Sequence, residues 1–261
     1  MAQQRKPVVV ITGASKGIGL AVTKILLEDF NAIVVALSRT RTPELLDLLN
    51  RHQSTLMTFE ADVTDKSSVT NAINLASKVF QGIDSLILNA GTLEPMGRID
   101  SPSTTADSWR KHFDVNFFSM IDMLQVVLPN LRASSKGGRI VFVSSGAALG
   151  STPGWGAYNA SKAAMNSLCR TLSQEEPGIV SVALRPGQVD TGMQALLRSE
   201  GSAHMSEADY QRFVAAHAEG KLVNPEDPGY VIAALSLQAS NELSGQFVTW
   251  NADECKGYRH V

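Results

Sequence analysis

A tyrosine and a lysine four residues apart, Tyr158 and Lys162, are the side chains of this chain best suited to move a proton. Positions i and i+4 share one face of a helix, so the lysine ammonium is expected beside the phenol. A positive neighbour favours the phenolate, which predicts a phenol pKa below its usual value of about 10. Ser145 ends the strand-like run at 139–144, where its hydroxyl can meet that phenol. These side chains predict proton exchange with a substrate near neutral pH.

A glycine-rich loop near the N-terminus decides whether that pair is functional, since the same spacing also occurs by chance in long helices. The loop, TGASKGIG at 12–19, follows the β-branched run 8–11 and opens a helical apolar pattern. Strand, glycine-rich turn and helix is the context of a dinucleotide-binding loop. Gly13 permits the tight turn, and Gly17 and Gly19 let backbone approach a pyrophosphate at the start of the helix. The loop therefore predicts a dinucleotide cofactor.

The composition excludes several other classes of protein. The chain has 261 residues with 44% hydrophobic side chains, which is ordinary for a globular protein, and its net charge of −2 argues against a nucleic-acid or anionic-membrane partner. It has neither an apolar run long enough to span a bilayer nor an apolar N-terminal signal. Cys169, Cys255 and the five histidines show no metal-ligand spacing, so no metal is expected. A reducing, cytoplasmic location is the simplest expectation.

Short apolar runs alternate with helical patterns along the whole chain. The predicted strands are 7–12, 32–38, 55–60, 84–88, 138–144, 179–184 and 246–250. The predicted helices are 17–29, 43–51, 65–80, 104–132, 157–175, 191–199, 206–218 and 226–239. This alternation predicts one α/β domain over 1–261, a doubly wound Rossmann fold with a seven-stranded parallel sheet and helices on both faces.

Two segments depart from the regular alternation. The predicted helix 104–132 is apolar on two faces, so one face should meet the sheet. The other should meet a partner subunit, in a homodimer or homotetramer that also uses the Tyr158 helix, or else a covering part of the same chain. The segment 186–224 is an insertion at the carboxyl end of a predicted strand, where a substrate lid would lie. An ordinary surface insertion is the alternative.

Several short motifs occur together in the order typical of one protein family. The loop at 12–19 is similar to that family's TGxxxGxG loop, and Asn89-Ala90-Gly91 to its NNAG strand end, with Leu88 in place of the first Asn. The pair Pro186-Gly187 is similar to its PG motif. Over about residues 7–250 the chain resembles the short-chain dehydrogenase/reductase family.

The resemblance implies roles for four catalytic side chains. Tyr158 would be the general acid in carbonyl reduction, or the base in the reverse reaction. Lys162 would lower the pKa of Tyr158 and hold the nicotinamide ribose. Ser145 would hydrogen-bond the substrate oxygen and stabilise the charge that develops as hydride arrives. Asn116 would hold a water in a proton relay behind Lys162.

The resemblance also implies a cofactor site assembled from several loops. Its residues would be Gly13, Ser15, Lys16, Gly17, Ile18, Gly19, Ser38, Arg39, Asp62, Val63, Asn89, Ala90, Gly91, Tyr158, Lys162, Pro186, Gly187, Val189 and Thr191. Within this set Asp62 would contact the adenine, and Thr191 the nicotinamide amide.

Charge at the end of the second predicted strand indicates which cofactor binds. NAD enzymes place a carboxylate there for the ribose 2′-hydroxyl, whereas the segment 38–41 carries no acid. Arg39 can grip a 2′-phosphate with its planar fork, and Lys16 adds a second cation. Both could instead be solvated surface cations. The missing acid together with two cations predicts NADP(H).

Within the family, the chain is similar to sepiapterin reductases and the fungal benzil reductase-like enzymes, through segments such as 154–158, 188–194 and 220–223. Thr249 stands where sepiapterin reductases carry the Asp that anchors the pterin, so weak pterin binding is expected. This departure favours apolar or aromatic ketones and α-diketones. The predicted pocket residues are Leu93, Leu149, Trp155, Gln188 and Met193. For Trp155 a core or interface role is the alternative.

An NADPH-dependent carbonyl reductase is therefore the leading hypothesis, with a small-molecule carbonyl compound as substrate. A sepiapterin-type reductase, and an alcohol or steroid dehydrogenase running oxidatively, are rivals of the same class, because one site catalyses both directions. An NADPH-sensing regulator without turnover is a rival of another class, although it would have no need of Ser145, Tyr158 and Lys162 together. A scaffold that assembles through 104–132 is the last alternative.

Overall fold

The computed structural model describes residues 5–260, whose centre is one parallel sheet. The strands are β1 (Val8–Thr12), β2 (Ile33–Ser38), β3 (Leu56–Glu60), β4 (Ser85–Leu88), β5 (Gly138–Val143), β6 (Ile179–Arg185) and β7 (Phe247–Thr249). They lie in the order β3-β2-β1-β4-β5-β6-β7, and each neighbouring pair is parallel. The chain reverses direction across the sheet between β1 and β4, and ligands of such sheets bind outside the carboxyl ends at that crossover.

Helices cover both faces of the sheet. They are α1 (Gly17–Glu28), α2 (Pro43–Arg51), α3 (Lys66–Phe80), α4 (Ala106–Phe113), α5 (Ser119–Arg132), α6 (Gly156–Glu175), α7 (Gly192–Glu200), α8 (Glu207–Ala218) and α9 (Glu226–Gln238). Buried side chains of α1, α2 and α9 pack on one face, and those of α3, α5 and α6 pack on the other. The predicted doubly wound fold is confirmed.

The first strand shows why its sequence is apolar throughout. Val9 and Ile11 belong to the core under α1 and α9, whereas Val8 and Val10 belong to the opposite core. All four side chains are fully buried. A strand that is covered on both faces needs apolar residues at every position, and this explains the continuous β-branched run.

The single helix expected over 104–132 is wrong in one respect. Thr105 caps α4, and between α4 and α5 lies a π-helical turn over Asp114–Phe118. A π turn contains one residue more than an α turn, so the face that points inward changes along the helix. Apolar periodicity continues through such an insertion, which is why the sequence pattern did not reveal it. Asn116 lies in this turn.

The expected excursion at 186–224 contains α7 and α8. Its two ends are joined, because the Asp190 amide donates to the Val223 carbonyl and the Val223 amide donates to the Gln188 carbonyl, each at 2.9 Å. Near its tip, a Cβ atom on Gly154 would lie 2.3 Å from the carbonyl oxygen of His204, so the segment rests directly on the 150–155 loop. The excursion therefore folds back over the carboxyl end of the sheet.

Three properties of the described chain bear on its surroundings. No helix within residues 5–260 is long and apolar enough to cross a bilayer. Over the same range, His, Cys, Asp and Glu side chains form no group of three that could hold a metal ion. Cys169 and Cys255 are free and buried, and burial raises the pKa of the Cys169 thiol to about 12, so this thiol is protonated at neutral pH.

Candidate active site

Ser145 and Tyr158 meet at the carboxyl end of β5. Ser145 precedes a short 3-10 turn (Gly146–Ala148), and the Ala147 amide donates to its hydroxyl oxygen at 3.1 Å. Tyr158 lies in the first turn of α6, is only 7% exposed, and its phenol hydrogen-bonds the Ser145 hydroxyl. The serine is thus fixed by the main chain while its hydroxyl contacts the phenol.

The phenol pKa shifts in the direction opposite to the sequence-based expectation. Burial raises the pKa of Tyr158 above its ordinary value, and the hydrogen bond with Ser145 offsets part of that rise. The prediction of a lowered pKa is wrong for this arrangement, because removal from water disfavours the phenolate more strongly than its neighbours favour it. Tyr158 is consequently protonated at neutral pH, which is the state a proton donor needs.

Lys162 shares the helix face of Tyr158 but points past the phenol. Its ammonium donates to the Val143 carbonyl at 2.8 Å and lies 5.7 Å from the centroid of the Tyr158 ring. The side chain is 4% exposed, and burial lowers the pKa of the ammonium to about 8. The lysine is therefore tied to the end of β5 and faces the tyrosine ring.

The π turn carries Asn116 toward Lys162. The Thr92 amide donates to Asn116 Oδ1 at 2.8 Å, and Asn116 Nδ2 donates to the Thr92 carbonyl at 2.9 Å. A Cβ atom on Gly91 would lie 3.4 Å from Asn116 Oδ1 and 4.0 Å from Lys162 Nζ, so the loop after β4 brings the two side chains to either side of this glycine. All four predicted catalytic residues thus lie at one end of the sheet.

The glycine loop after β1 has the close backbone approaches that a dinucleotide requires. Gly13 has φ +69°, and a Cβ atom on Gly19 would lie 2.1 Å from its carbonyl oxygen. Asn89, at the end of β4, donates through Nδ2 to the carbonyls of Thr12 and Gly13. Lys16, at the N-cap of α1, makes no side-chain cap hydrogen bond. The first amides of α1 are thus left for an anion, and the loop fits a pyrophosphate.

The segment after β6 lies directly against that loop. A Cβ atom on Gly17 would lie 3.0 Å from Cγ2 of Thr191. Gly187 has φ +84°, and a Cβ atom there would lie 3.3 Å from Nε1 of Trp250. Val189 is buried and bridges to Val223. The cofactor residues predicted in 186–191 and those of the glycine loop therefore lie side by side.

The end of β2 presents two exposed cations. Lys16 and Arg39 are both exposed, and the ion pairs among residues 5–260 involve neither of them. Glu60, which pairs in register with Ser38, lies 3.9 Å from the Arg41 guanidinium. The nearest acid in the sheet register is therefore matched with a different arginine.

The other predicted cofactor residues lie at the same edge of the sheet. Ser38 donates through its hydroxyl to the Thr40 carbonyl at 2.8 Å. The Asp62 carboxylate accepts from the amide and the hydroxyl of Thr64. Asp62 is exposed, so its carboxylate is bound by the main chain on one side and open to solvent on the other. The remaining predicted positions are Ser15 and Ile18 in the glycine loop, Val63 after β3, Ala90 after β4 and Pro186 after β6.

An aromatic cluster lies beside Tyr158. The Trp155 ring meets the Tyr158 ring edge to face, with centroids 5.8 Å apart, and stacks on Phe213 at 5.3 Å. Leu93 is buried in the same cluster, and Met193 packs against it. Because α7 and α8 contribute to this cluster, the excursion forms one wall of an apolar pocket next to the phenol.

Two of the predicted pocket residues lie outside this cluster. Leu149 is 80% exposed and points to solvent. Gln188 is half-buried, and its carbonyl takes part in the hydrogen bonds that join the ends of the excursion.

Sequence reasoning missed two aromatic side chains of the site. Phe213 lies on a helix that was expected to be part of a lid, but no spacing in the sequence distinguishes it from other apolar residues of that helix. His112 lies one helical turn before Asn116, is 1% exposed and contacts it at 2.9 Å. The spacing of four between these two residues was the available signal.

Comparisons with known proteins agree with this geometry. A family model described as short chain dehydrogenase matches residues 7–201. An uncharacterized oxidoreductase of Schizosaccharomyces pombe is 42% identical over 97% of this chain and 99% of its own length. A benzil reductase of Saccharomyces cerevisiae that forms (S)-benzoin is 35% identical over 94% of this chain and 95% of its own.

A solved structure gives the same answer. The crystal structure of the short-chain dehydrogenase/reductase YIR035C from Saccharomyces cerevisiae superimposes with a TM-score of 0.92 and 31% identity, and covers 97% of this chain and 100% of that one. The matches extend over the glycine loop, the strand ends and the Tyr158 helix. The chain therefore belongs to the short-chain dehydrogenase/reductase family and is an oxidoreductase that acts on CH–OH and C=O groups.

Proposed function

We propose that this protein is an NADPH-dependent carbonyl reductase that reduces a ketone or an α-diketone such as benzil, with Tyr158 as the proton donor. The observation that carries the proposal is the buried phenol of Tyr158, hydrogen-bonded to Ser145 and facing the ring of Trp155. A substrate carbonyl oxygen in this position would receive hydrogen bonds from both hydroxyls, while its aromatic substituent packs on the indole.

The four catalytic side chains divide the work. Bound NADPH supplies the hydride. Ser145 stabilises the oxygen on which negative charge develops, since the Ala147 amide holds its hydroxyl in place. Tyr158 gives that oxygen its proton, and Lys162, at about 4 Å from the Cβ position of Gly91, connects the phenol's surroundings to Asn116. Asn116 would hold the water through which the proton is replaced.

The cofactor is proposed to be NADP(H) within the NAD(P)(H) used by the family. Lys16 and Arg39 supply two exposed positive charges beside the end of β2, where a 2′-phosphate would lie. Glu60, the acid across from Ser38, is near Arg41 and would be the group that repels this phosphate if Arg41 were removed. The remaining cofactor contacts are assigned as stated above for the loops after β1, β2, β3, β4 and β6.

An apolar substrate suits the pocket better than a pterin. Leu93 and Phe213 are buried in the wall of the pocket, with Met193 packed against them. Thr249, at the end of β7, offers no carboxylate to pair with pterin amino groups. The relative named benzil reductase, at 35% identity, supports a diaryl diketone as the first substrate to try.

The experiment follows NADPH absorbance with benzil and a panel of ketones and sepiapterin. We expect NADPH consumption with benzil, and we expect Tyr158→Phe to remove it while NADPH affinity is kept. Tyr230→Phe is the matched control, because Tyr230 packs against Phe30 on α1's side of the sheet. Turnover by Tyr158→Phe would refute its acid role. Tight NADPH binding with no turnover for any carbonyl would favour the sensor.

Assembly as a homodimer or homotetramer is part of the proposal. Phe118, in the π turn, is 53% exposed and contacts Phe117 edge to face at 5.6 Å. A large exposed aromatic on a helix otherwise packed against the sheet supports a subunit interface through 104–132 and α6. Light scattering should give a dimer or tetramer, and Phe118→Glu should lower the mass; a monomeric wild-type protein would contradict this part.

We also propose a cytoplasmic location. Cys169 and Cys255 are free thiols, which is typical of proteins in a reducing compartment. Imaging of a fluorescent fusion tests this, and an organellar signal would contradict it.

A further inference from the structure

A buried histidine connects three elements of the candidate site. His112, at the end of α4, lies within 2.6 Å of the Glu94 carbonyl through Nδ1. Through Nε2 it lies 2.9 Å from Nδ2 of Asn116 and 2.9 Å from the hydroxyl of Ser161. Its ring also faces the Tyr158 ring, with centroids 6.2 Å apart. The imidazole thus touches the loop after β4, the π turn and α6.

The partners determine which nitrogen carries the hydrogen. The Glu94 carbonyl can only accept, so Nδ1 donates to it. Asn116 Oδ1 is occupied by the Thr92 amide, so its Nδ2 faces the histidine as a donor. Nε2 must therefore be unprotonated, and the ring is neutral. Burial lowers the pKa of His112, which agrees with a neutral ring, and the nearby charge of Lys162 lowers it further.

Ser161 extends this connection to the catalytic helix. Its hydroxyl donates to the Tyr158 carbonyl at 3.0 Å, so the lone pair of His112 Nε2 is left for Asn116. The hydroxyl oxygen also lies 3.4 Å from Asn116 Nδ2. One imidazole nitrogen consequently sits where the asparagine amide and the first turns of α6 meet.

We propose that His112 is a positioning residue of the reaction, which fixes the Asn116 amide and the π turn relative to Tyr158 by accepting a hydrogen bond at Nε2. This rests on the proposed function, in which Asn116 serves proton transfer. Without that acceptor, one Asn116 N–H would lie buried without a partner and would turn toward another acceptor. The asparagine would then leave the geometry that serves Lys162.

The alternative is that His112 only anchors the 92–94 loop through Nδ1. Two substitutions separate the two roles. In His112→Gln the side-chain oxygen can take the place of Nε2 as acceptor, while the donor to Glu94 is lost. In His112→Asn the side-chain nitrogen can take the place of Nδ1 and donate to Glu94, while the acceptor for Asn116 is lost.

The measurement is kcat and KM for benzil with NADPH, together with the melting temperature. We expect His112→Asn to lower kcat about 10-fold or more with an unchanged NADPH affinity, and His112→Gln to stay within about 3-fold of wild type. In an Asn116→Ala background, His112→Asn should have little further effect, because the two act as one unit. Equal kcat values for the two His112 variants, or a full further loss in the Asn116→Ala background, would overturn the proposal.

A readout without turnover keeps this test separate from that of the proposed function. Nitrogen NMR of the His112 ring should show hydrogen on Nδ1 in wild type, with Nε2 shifted by Asn116→Ala. If wild type consumed no NADPH with any carbonyl yet showed these ring signals, the proposed function would fail while the contact stood. A ring protonated at Nε2 at neutral pH would overturn the positioning role whatever the activity.

Discussion

Phe213 of α8 stacks on Trp155 with the ring centroids 5.3 Å apart and the planes at 29°. Trp155 in turn meets Tyr158 edge to face, so a helix far along the chain reaches the proton donor through a single aromatic side chain. This contact gives the excursion at 186–224 a direct role in the shape of the pocket.

Shortening this side chain should weaken binding of bulky substrates. We expect Phe213→Leu to raise KM for benzil about 3- to 10-fold, because the aromatic stack that orients the indole is lost, while NADPH affinity is unchanged. Steady-state kinetics with benzil and a small aliphatic diketone measures the difference. Leu149→Ala is the control, since Leu149 points to solvent. An equal rise for both substrates would show that Phe213 does not shape the pocket.

Reversing the charge after β2 should change the choice of cofactor. We expect Arg39→Asp to lower kcat/KM for NADPH about 10-fold or more relative to NADH, because the carboxylate repels a 2′-phosphate and can accept from a 2′-hydroxyl. Arg41→Ala is the control, since Arg41 already lies near Glu60. An unchanged preference for NADPH would mean that the phosphate is recognised elsewhere.

A methyl group in the glycine loop should prevent cofactor binding. In Gly19→Ala the added Cβ would lie 2.1 Å from the Gly13 carbonyl oxygen, so α1 must move away from the turn. We expect loss of measurable NADPH binding by fluorescence titration and a lower melting temperature. Gly178→Ala is the matched control, because its Cβ meets nothing within 4 Å. Normal NADPH affinity in Gly19→Ala would contradict the assignment of this loop.

The buried lysine should make stability rise with pH in the alkaline range. The pKa of Lys162 is about 8 in the folded protein and near 10.5 when unfolded, so between these values the unfolded chain binds more protons. The free energy of unfolding therefore increases from about pH 8 to pH 10, by about 2 kcal/mol from this group. Below pH 8 both states are protonated and the contribution is constant.

Urea unfolding of wild type and Lys162→Met over this pH range tests the prediction. The difference between the two proteins should grow in favour of wild type as the pH rises. Parallel curves would show that the ammonium is not desolvated in the folded state. Tyr158 titrates in the opposite sense only above pH 10, because burial raises its pKa, so it does not mask the effect.

The sequence alone determined the sheet, the glycine loop and the identity of the four catalytic residues. These depend on local patterns: a β-branched run that is buried on both faces, glycines where a Cβ atom would collide, and a tyrosine and lysine one helical turn apart. Each of these patterns has few other structural explanations, and the strand and helix boundaries followed within a few residues.

Only the tertiary structure decided the electrostatics and the polar contacts of the site. The sequence predicted that Lys162 lowers the pKa of Tyr158, but burial of the phenol outweighs this and the ammonium donates to Val143. The π turn that carries Asn116, and the contacts of His112 with it, arise where segments distant in the chain pack together. Desolvation and long-range hydrogen bonds depend on all neighbours at once, and periodicity along one chain contains no information about them.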